Sequence, residues 1–149
     1  MTVYADSSVL VRMVARQAPS ISGWESIVAP VASVLVEVEV PRAIDRLRRS
    51  GELAEVAAIA AVTRARELLR AFRLMEIDPA VRLRAGGPFA LPLRSLDAIH
   101  LASALLWREA NPDEDVVIAT HDERMARAAQ AHGLKANGWP EKSVASPDK

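Results

Sequence analysis

Short runs of β-branched and apolar residues alternate with longer Ala-, Leu- and Arg-rich stretches along this chain. The short runs predict strands at residues 2–5, 27–29, 74–77, 116–119 and 134–137. The longer stretches have helical periodicity and predict helices at residues 9–15, 33–49, 52–70, 79–85, 95–110 and 124–131. Strands that alternate with helices indicate an α/β fold in which helices cover a parallel sheet.

Individual residues predict where these elements begin and end. Pro30 should stop the second strand, and Pro41 inside the second helix predicts a kink or a break. Ser95 is the candidate N-cap of the fifth helix. Thr120 and Glu123 have the spacing of a capping box, with Thr120 as the N-cap of the last helix.

The composition limits the class of protein. A length of 149 residues suits one domain, and with 50% hydrophobic and 26% charged residues the chain can build a core, which excludes general disorder. No apolar stretch approaches the roughly 20 residues that span a bilayer, and we expect no signal peptide, because the N-terminus lacks a basic start. The absence of cysteine excludes disulfides and thiolate metal sites and favours the cytoplasm. We expect a domain at residues 1–137 and a polar, flexible tail at 138–149.

Acidic and basic residues balance at 19 each, and most of the basic ones are Arg. Arg is suited to phosphate, but a neutral chain lacks the broad positive field of a DNA-binding domain. Contact with nucleic acid must therefore come from local clusters. Arg42 and Arg46, at helical spacing near Glu39, are candidates for substrate contact, and a solvated helix face is the alternative.

Three acids stand where a parallel α/β sheet binds its ligands. Asp6 directly follows the first strand, Asp97 lies in the first turn of the fifth helix, and Asp122 follows the strand at 116–119. Because strand C-termini and helix N-termini share one edge, we expect these carboxylates to converge. Clustered carboxylates suit a hard cation such as Mg²⁺ or Mn²⁺, which can activate water for displacement at phosphorus.

Each acid also has an ordinary structural explanation. Asp97 and Asp122 would complement a helix dipole, and Asp6 could cap the helix that follows it. Glu39 lies in the apolar segment VASVLVEVEVPRA, where either it or Glu37 could lie on a solvated face. Position alone therefore leaves a metal site and a set of helix-start residues both open.

Four segments together resemble the PIN-domain family, and within it the VapC-type toxins: YADSSVLV, SVLVEVEVPRA, LRSLDAIHLASAL and IATHDERMARAA. The resemblance extends from residue 3 to about residue 133. It implies a three-layer α/β/α sandwich with a short parallel sheet, and a Mg²⁺- or Mn²⁺-dependent endoribonuclease that cleaves RNA with metal-activated water. It further implies a homodimer and a cognate antitoxin. The acids that the family's motif assigns to catalysis and metal binding are Asp6, Glu39, Asp97 and Asp122.

The motif also assigns supporting residues. Glu39 is preferred to Glu37 because it begins the family's Glu-x-x-Arg-Ala pattern. Ser8 matches the hydroxyl that the family has beside its first Asp. Thr120 matches the hydroxyl that the family has two residues before its last Asp. His121 departs from the family, which often has Tyr at that position.

Some assignments remain open at this point. Asp115 is close enough in sequence to share or replace the role of Asp122. His100, one helical turn after Asp97, is expected to be a packed residue or one oriented by Asp97, with a catalytic role as the alternative. The tryptophans are expected in the core or an interface: Trp24, Trp107 and Trp139. The alternatives to a toxin are a PIN ribonuclease outside toxin–antitoxin systems and a non-catalytic module that binds RNA or protein.

Overall fold

A five-stranded, all-parallel sheet forms the centre of the computed structural model, which describes residues 1–17 and 29–138. The elements in chain order are β1 (Thr2–Ala5), α1 (Ser7–Ala15), β2 (Ala29–Ser33), α2 (Val36–Arg49), α3 (Glu55–Leu69), β3 (Arg73–Met75), α4 (Pro79–Ala85), α5 (Ser95–Ala110), β4 (Val116–Ala119), α6 (Glu123–Ala131) and β5 (Lys135–Asn137). The predicted alternation of strands and helices is confirmed.

The strand order β3-β2-β1-β4-β5 puts β1 in the middle of the sheet. Tyr4 of β1 pairs with Val31 of β2 on one side and with Ile118 of β4 on the other. The chain builds the sheet outward through β2 and β3, then returns to the other side of β1 for β4 and β5. The direction of winding therefore changes between β1 and β4, and a ligand is expected beyond the carboxyl ends of those two strands.

Helices cover both faces of the sheet. Tyr4 and Ile118 point to the face covered by α5 and α6, where they pack with Leu101 and Leu105. The alternate residue Ala5 points to the opposite face, whose core is built from α1, α2 and α3. These three layers are the α/β/α sandwich that the resemblance implies. Burial of each large apolar side chain contributes about 1.5–3 kcal/mol to the free energy of folding.

The second strand was predicted with the wrong bounds. It runs from Ala29 to Ser33 and includes Pro30, which was expected to stop it. Pairing of β2 with β3 begins only at Val31, so Pro30 has one neighbouring strand and the missing N–H is tolerated there. The following helix consequently starts at Val36 rather than at residue 33.

Within α2, the helix continues without a break through Pro41. Pro41 cannot donate to the carbonyl of Glu37, but the apolar side chains of Val36, Val40 and Ile44 are buried on one face of the helix. That buried face keeps the two halves of α2 aligned against the sheet. The break that Pro41 predicted as one possibility does not occur.

Two N-caps also differ from prediction. The backbone cap of α5 is Arg94, and Ser95 is the first helical residue. The cap of α6 is Asp122, whose side chain accepts the N–H of Met125, so Thr120 is not the N-cap. Thr120 lies two residues before Asp122, directly after β4, and its hydroxyl bonds to Asp6 and to the N–H of Asp122.

Some predictions fall on residues that the structure does not describe. These are residues 27 and 28 of the predicted second strand, Trp24, Trp139 and the tail beyond residue 138. Trp107 is described, and it packs partly buried against the core on the α5 and α6 side, as expected. Across residues 1–17 and 29–138, no helix combines the length and the apolar character needed to cross a membrane.

Candidate active site

Asp6 is fixed at the end of β1, the central strand. It caps α1 and is only 5% exposed. Oδ1 accepts the backbone N–H of Ser8 at 2.7 Å and the Ser8 hydroxyl at 2.5 Å, while the hydroxyl of Thr120 donates to Oδ2. The capping role proposed as an alternative is therefore real, and the same hydrogen bonds hold the carboxylate in one orientation.

The hydroxyls of Ser8 and Thr120 connect Asp6 to the loop between β4 and α6. Thr120 Oγ1 accepts the backbone N–H of Asp122 at 3.0 Å, and Ser8 Oγ accepts that of His121 at 2.9 Å. Each hydroxyl thus donates to Asp6 and accepts from the loop. This bridging explains why both positions carry a hydroxyl, and it joins the carboxyl ends of β1 and β4.

Asp97 completes a group of three interacting carboxylates. It is the third residue of α5 and half-buried. Burial raises the pKa of the Asp97 carboxyl, and the negative charges of Asp122 and Asp6 raise it further, against smaller opposing effects of the Arg94 backbone and His100. Asp6 and Asp122 therefore lie close enough to Asp97 for their charges to raise its pKa, which agrees with the predicted convergence of the three side chains.

Glu39 enters the site from α2. Its Oε2 lies 2.6 Å from Nε2 of His100, and Nδ1 of His100 lies 3.1 Å from the hydroxyl of Tyr4. His100 is 2% exposed, so the expectation of a packed His is correct. The carboxylate that it contacts is that of Glu39, however, and not that of Asp97 in the preceding turn.

The donor set has the chemistry of a site for a hard divalent cation. The four acids offer carboxylate oxygens, and a cation would relieve the negative charge that, after burial, raises the pKa of Asp97. Within residues 1–17 and 29–138, no three His, Asp or Glu side chains lie close enough to form a ready-made metal cluster.

A groove of about 790 Å³ runs along α1 and α2, and of the four acids Glu39 lines it. Ser8 and Glu39 border it at the acidic end, and Arg12, Arg42 and Arg46 line it further along. Arg42 is 3.7 Å from Asp45 and still largely exposed. The groove thus joins an anionic end to a cationic wall, which suits a phosphodiester chain whose scissile phosphate meets a metal ion.

Two alternative acids lie elsewhere. Asp115 precedes β4, at the opposite end of the strand from Asp122, and both its oxygens lie 3.0 Å from Nζ of Lys135. Glu37 is exposed and borders a separate pocket between α2 and α3. Neither geometry brings these side chains to Asp6.

Sequence reasoning missed Arg12 and the contacts that His100 and His121 make at this edge of the molecule. Arg12 is four residues after Ser8, and that spacing on α1 could have revealed it. The contact of His100 with Glu39 joins residues 61 apart in sequence, so no local pattern could reveal it. His121 Nδ1 lies 2.9 Å from the carbonyl of Gly138, and burial together with Arg12 lowers the pKa of its imidazole.

Comparison with known proteins gives a consistent result. A family model described as PIN domain matches residues 3–131. Ribonuclease VapC35 and Ribonuclease VapC46 of Mycobacterium tuberculosis are 31% and 34% identical to the chain, each over 89% of it and 93% of the relative. The crystal structure of PAE2754 from Pyrobaculum aerophilum matches with a TM-score of 0.52 at 20% identity, covering 91% of this chain and 92% of that one. At that identity the structural likeness concerns the fold alone.

Proposed function

The chain belongs to the PIN-domain family, and from this we propose that it is a metal-dependent endoribonuclease, the toxin of a toxin–antitoxin pair. The observation that carries the proposal is the convergence of Asp6, Asp97 and Asp122 beyond the carboxyl ends of the central strands. The two relatives compared above are named as ribonucleases and align over 93% of their length, which supports the choice of RNA as substrate.

The residues that would hold the cation, directly or through water, are Asp6, Glu39, Asp97 and Asp122. The chemistry that Mg²⁺ or Mn²⁺ supplies at such a site is activation of water and neutralisation of charge at phosphorus. Ser8 and Thr120 act as supports, because their hydroxyls hold both oxygens of Asp6 and leave the carboxylate no freedom to turn away. We propose hydrolysis that leaves a 3′-hydroxyl and a 5′-phosphate.

Arg42 and Arg46 are the proposed contacts to the RNA backbone, and Arg12 adds a third cation on the facing helix. Their guanidinium groups lie on the groove wall rather than among the acids, so they would bind phosphates next to the one that is cleaved. Positioning of this kind supplies affinity without reading bases. Sequence preference would then depend on the shape and accessibility of the RNA.

The partners proposed from the family are an antitoxin and a second copy of this chain. An antitoxin that inserts a basic side chain among the carboxylates would block the cation and the substrate together. The same groove would then be covered in the inactive complex. We place this pair in the cytoplasm, where its RNA substrate is found.

RNA cleavage with and without metal tests the proposed function. Purified protein free of antitoxin is incubated with structured RNAs in Mg²⁺, Mn²⁺ or EDTA, and cleavage is expected only with a divalent cation. Glu39→Gln should abolish it, and Glu37→Gln is the matched control, because the same change two residues earlier lies on a different face of α2. Equal cleavage in EDTA would refute the metal-dependent chemistry, and an inactive Glu37→Gln variant would show that the wrong glutamate has been assigned.

A further inference from the structure

His100 occupies a buried position between Glu39 and the core. It is 2% exposed and spans from Oε2 of Glu39, at 2.6 Å, to the hydroxyl of Tyr4, at 3.1 Å. Tyr4 is completely buried on β1, two residues before Asp6. The three side chains come from α2, α5 and β1, so the chain of contacts links three separate elements one layer beneath the acidic edge.

Glu39 depends on this contact more than the other acids depend on theirs. Asp6 and Asp122 are short side chains fixed by caps of their own helices. The Glu39 side chain has one more rotatable bond than an Asp side chain. Within the described residues, its carboxylate makes one hydrogen bond, which is to His100. Oε1 has no protein partner in residues 1–17 and 29–138, while the side chain borders the groove.

The contacts also determine which ring nitrogen of His100 carries the hydrogen. When the Tyr4 hydroxyl donates to Nδ1, the ring hydrogen lies on Nε2, which faces Glu39. Tyr4 thereby orients the ring, and the ring donates to the carboxylate.

We propose that His100, anchored by Tyr4, is a positioning residue that holds Glu39 Oε2 on the buried side and so presents Oε1 to a divalent cation at the acidic edge. This rests on the proposed function only for the identity of the ligand as a divalent cation. A purely structural His would fill the core and affect folding stability. A positioning residue affects cation affinity as well, and does so only through Glu39. Loss of such an outer hydrogen-bond partner typically weakens metal binding about 10- to 100-fold.

A double-mutant cycle separates these two roles. The dissociation constant for Mn²⁺ is measured without RNA by electron paramagnetic resonance, which detects the free ion, on wild type, His100→Leu, Glu39→Ala and the double variant. His100→Leu should weaken Mn²⁺ binding about tenfold in the wild-type background and not at all in the Glu39→Ala background. The same weakening in both backgrounds, or no weakening in either, would overturn the positioning role.

Two further variants keep the test decisive if His100→Leu fails to fold. His100→Gln retains an N–H donor toward Glu39 and should recover most of the lost Mn²⁺ affinity. Tyr4→Phe keeps the ring and removes only the hydroxyl that orients His100, so it should weaken binding in the same direction, again only when Glu39 is present. Tyr4→Phe with unchanged Mn²⁺ affinity would overturn the anchoring by Tyr4.

The wild-type protein distinguishes failure of this proposal from failure of the proposed function. Wild type that binds Mn²⁺ but cleaves no RNA refutes the ribonuclease, and the cycle still decides the role of His100. Wild type that binds no Mn²⁺ overturns both. Wild type that cleaves RNA with Mn²⁺, together with a His100→Leu effect that persists in the Glu39→Ala background, overturns the positioning role alone.

Discussion

Replacement of Thr120 by Val should destabilise the protein strongly although the two side chains have nearly the same shape. Thr120 is completely buried, and its hydroxyl donates to Asp6 Oδ2 while accepting the N–H of Asp122. Val removes both bonds, and Asp6, at 5% exposure, has little access to water as a substitute. A lost hydrogen bond to a charged group costs about 1.5–3 kcal/mol, and the unpaired N–H adds about 1 kcal/mol, so the expected loss in unfolding free energy is about 3 kcal/mol.

Urea unfolding in EDTA measures this loss without any contribution from bound metal. A loss of about 3 kcal/mol should lower the midpoint by roughly 1.5 M for an m-value of about 2 kcal/mol/M. Thr120→Ser keeps the hydroxyl and should lose only about 1 kcal/mol for the missing methyl group. Thr63→Val is the surface control, because Thr63 is exposed on α3 and its hydroxyl contacts only its own helix, so a change within about 0.5 kcal/mol is expected. Thr120→Val as stable as wild type, or Thr120→Ser as unstable as Thr120→Val, would refute the bridging role of the hydroxyl.

Three other changes have defined outcomes. Asp97→Asn should melt at or above wild type in EDTA at neutral pH, because burial and the charges of Asp122 and Asp6 raise the pKa of Asp97 and thus penalise its ionised form. The difference in melting temperature between the variant and wild type should shrink as the pH falls through that raised pKa. Mn²⁺ should stabilise wild type more than the variant. A variant that melts far below wild type in EDTA would show that Asp97 is chiefly a helix-start residue. Asp122→Asn should reduce RNA cleavage at least about a hundredfold, whereas Asp115→Asn should cleave like wild type, and a reversed pattern in the same assay would exchange their roles. Arg46→Ala should weaken RNA binding. It should also reduce the slope of log Kd against log salt concentration by about 0.7, the value for one lost phosphate contact. An unchanged slope would show that Arg46 does not contact the RNA.

The sequence predicts the layers and the acidic edge because both follow from local rules. Helix α4 has the predicted bounds, since Asp78 caps it and Pro79 suits its first position. The convergence of Asp6 and Asp122 follows from parallel strands that end at one edge. These features need only periodicity, capping chemistry and the direction of the strands.

Other features depend on partners that are distant in sequence. Pro30 lies within β2 because β3 begins to pair one residue later, and this register is set by the whole sheet. The orientation of Glu39 depends on His100, which spacing on α5 associates with Asp97 instead. Burial of polar side chains at the contact between two elements is decided by tertiary structure, so a local pattern does not reveal it.

The most direct test of the central claim is to locate Mn²⁺ in crystals of the protein by anomalous diffraction. The account predicts an anomalous peak among the carboxylates of Asp6, Glu39, Asp97 and Asp122, and loss of that peak in Asp97→Asn crystals prepared in the same way. A protein whose RNA cleavage requires Mn²⁺ but whose crystals hold the ion only elsewhere, or hold it unchanged in Asp97→Asn, would contradict the assignment of this acidic edge as the catalytic metal site.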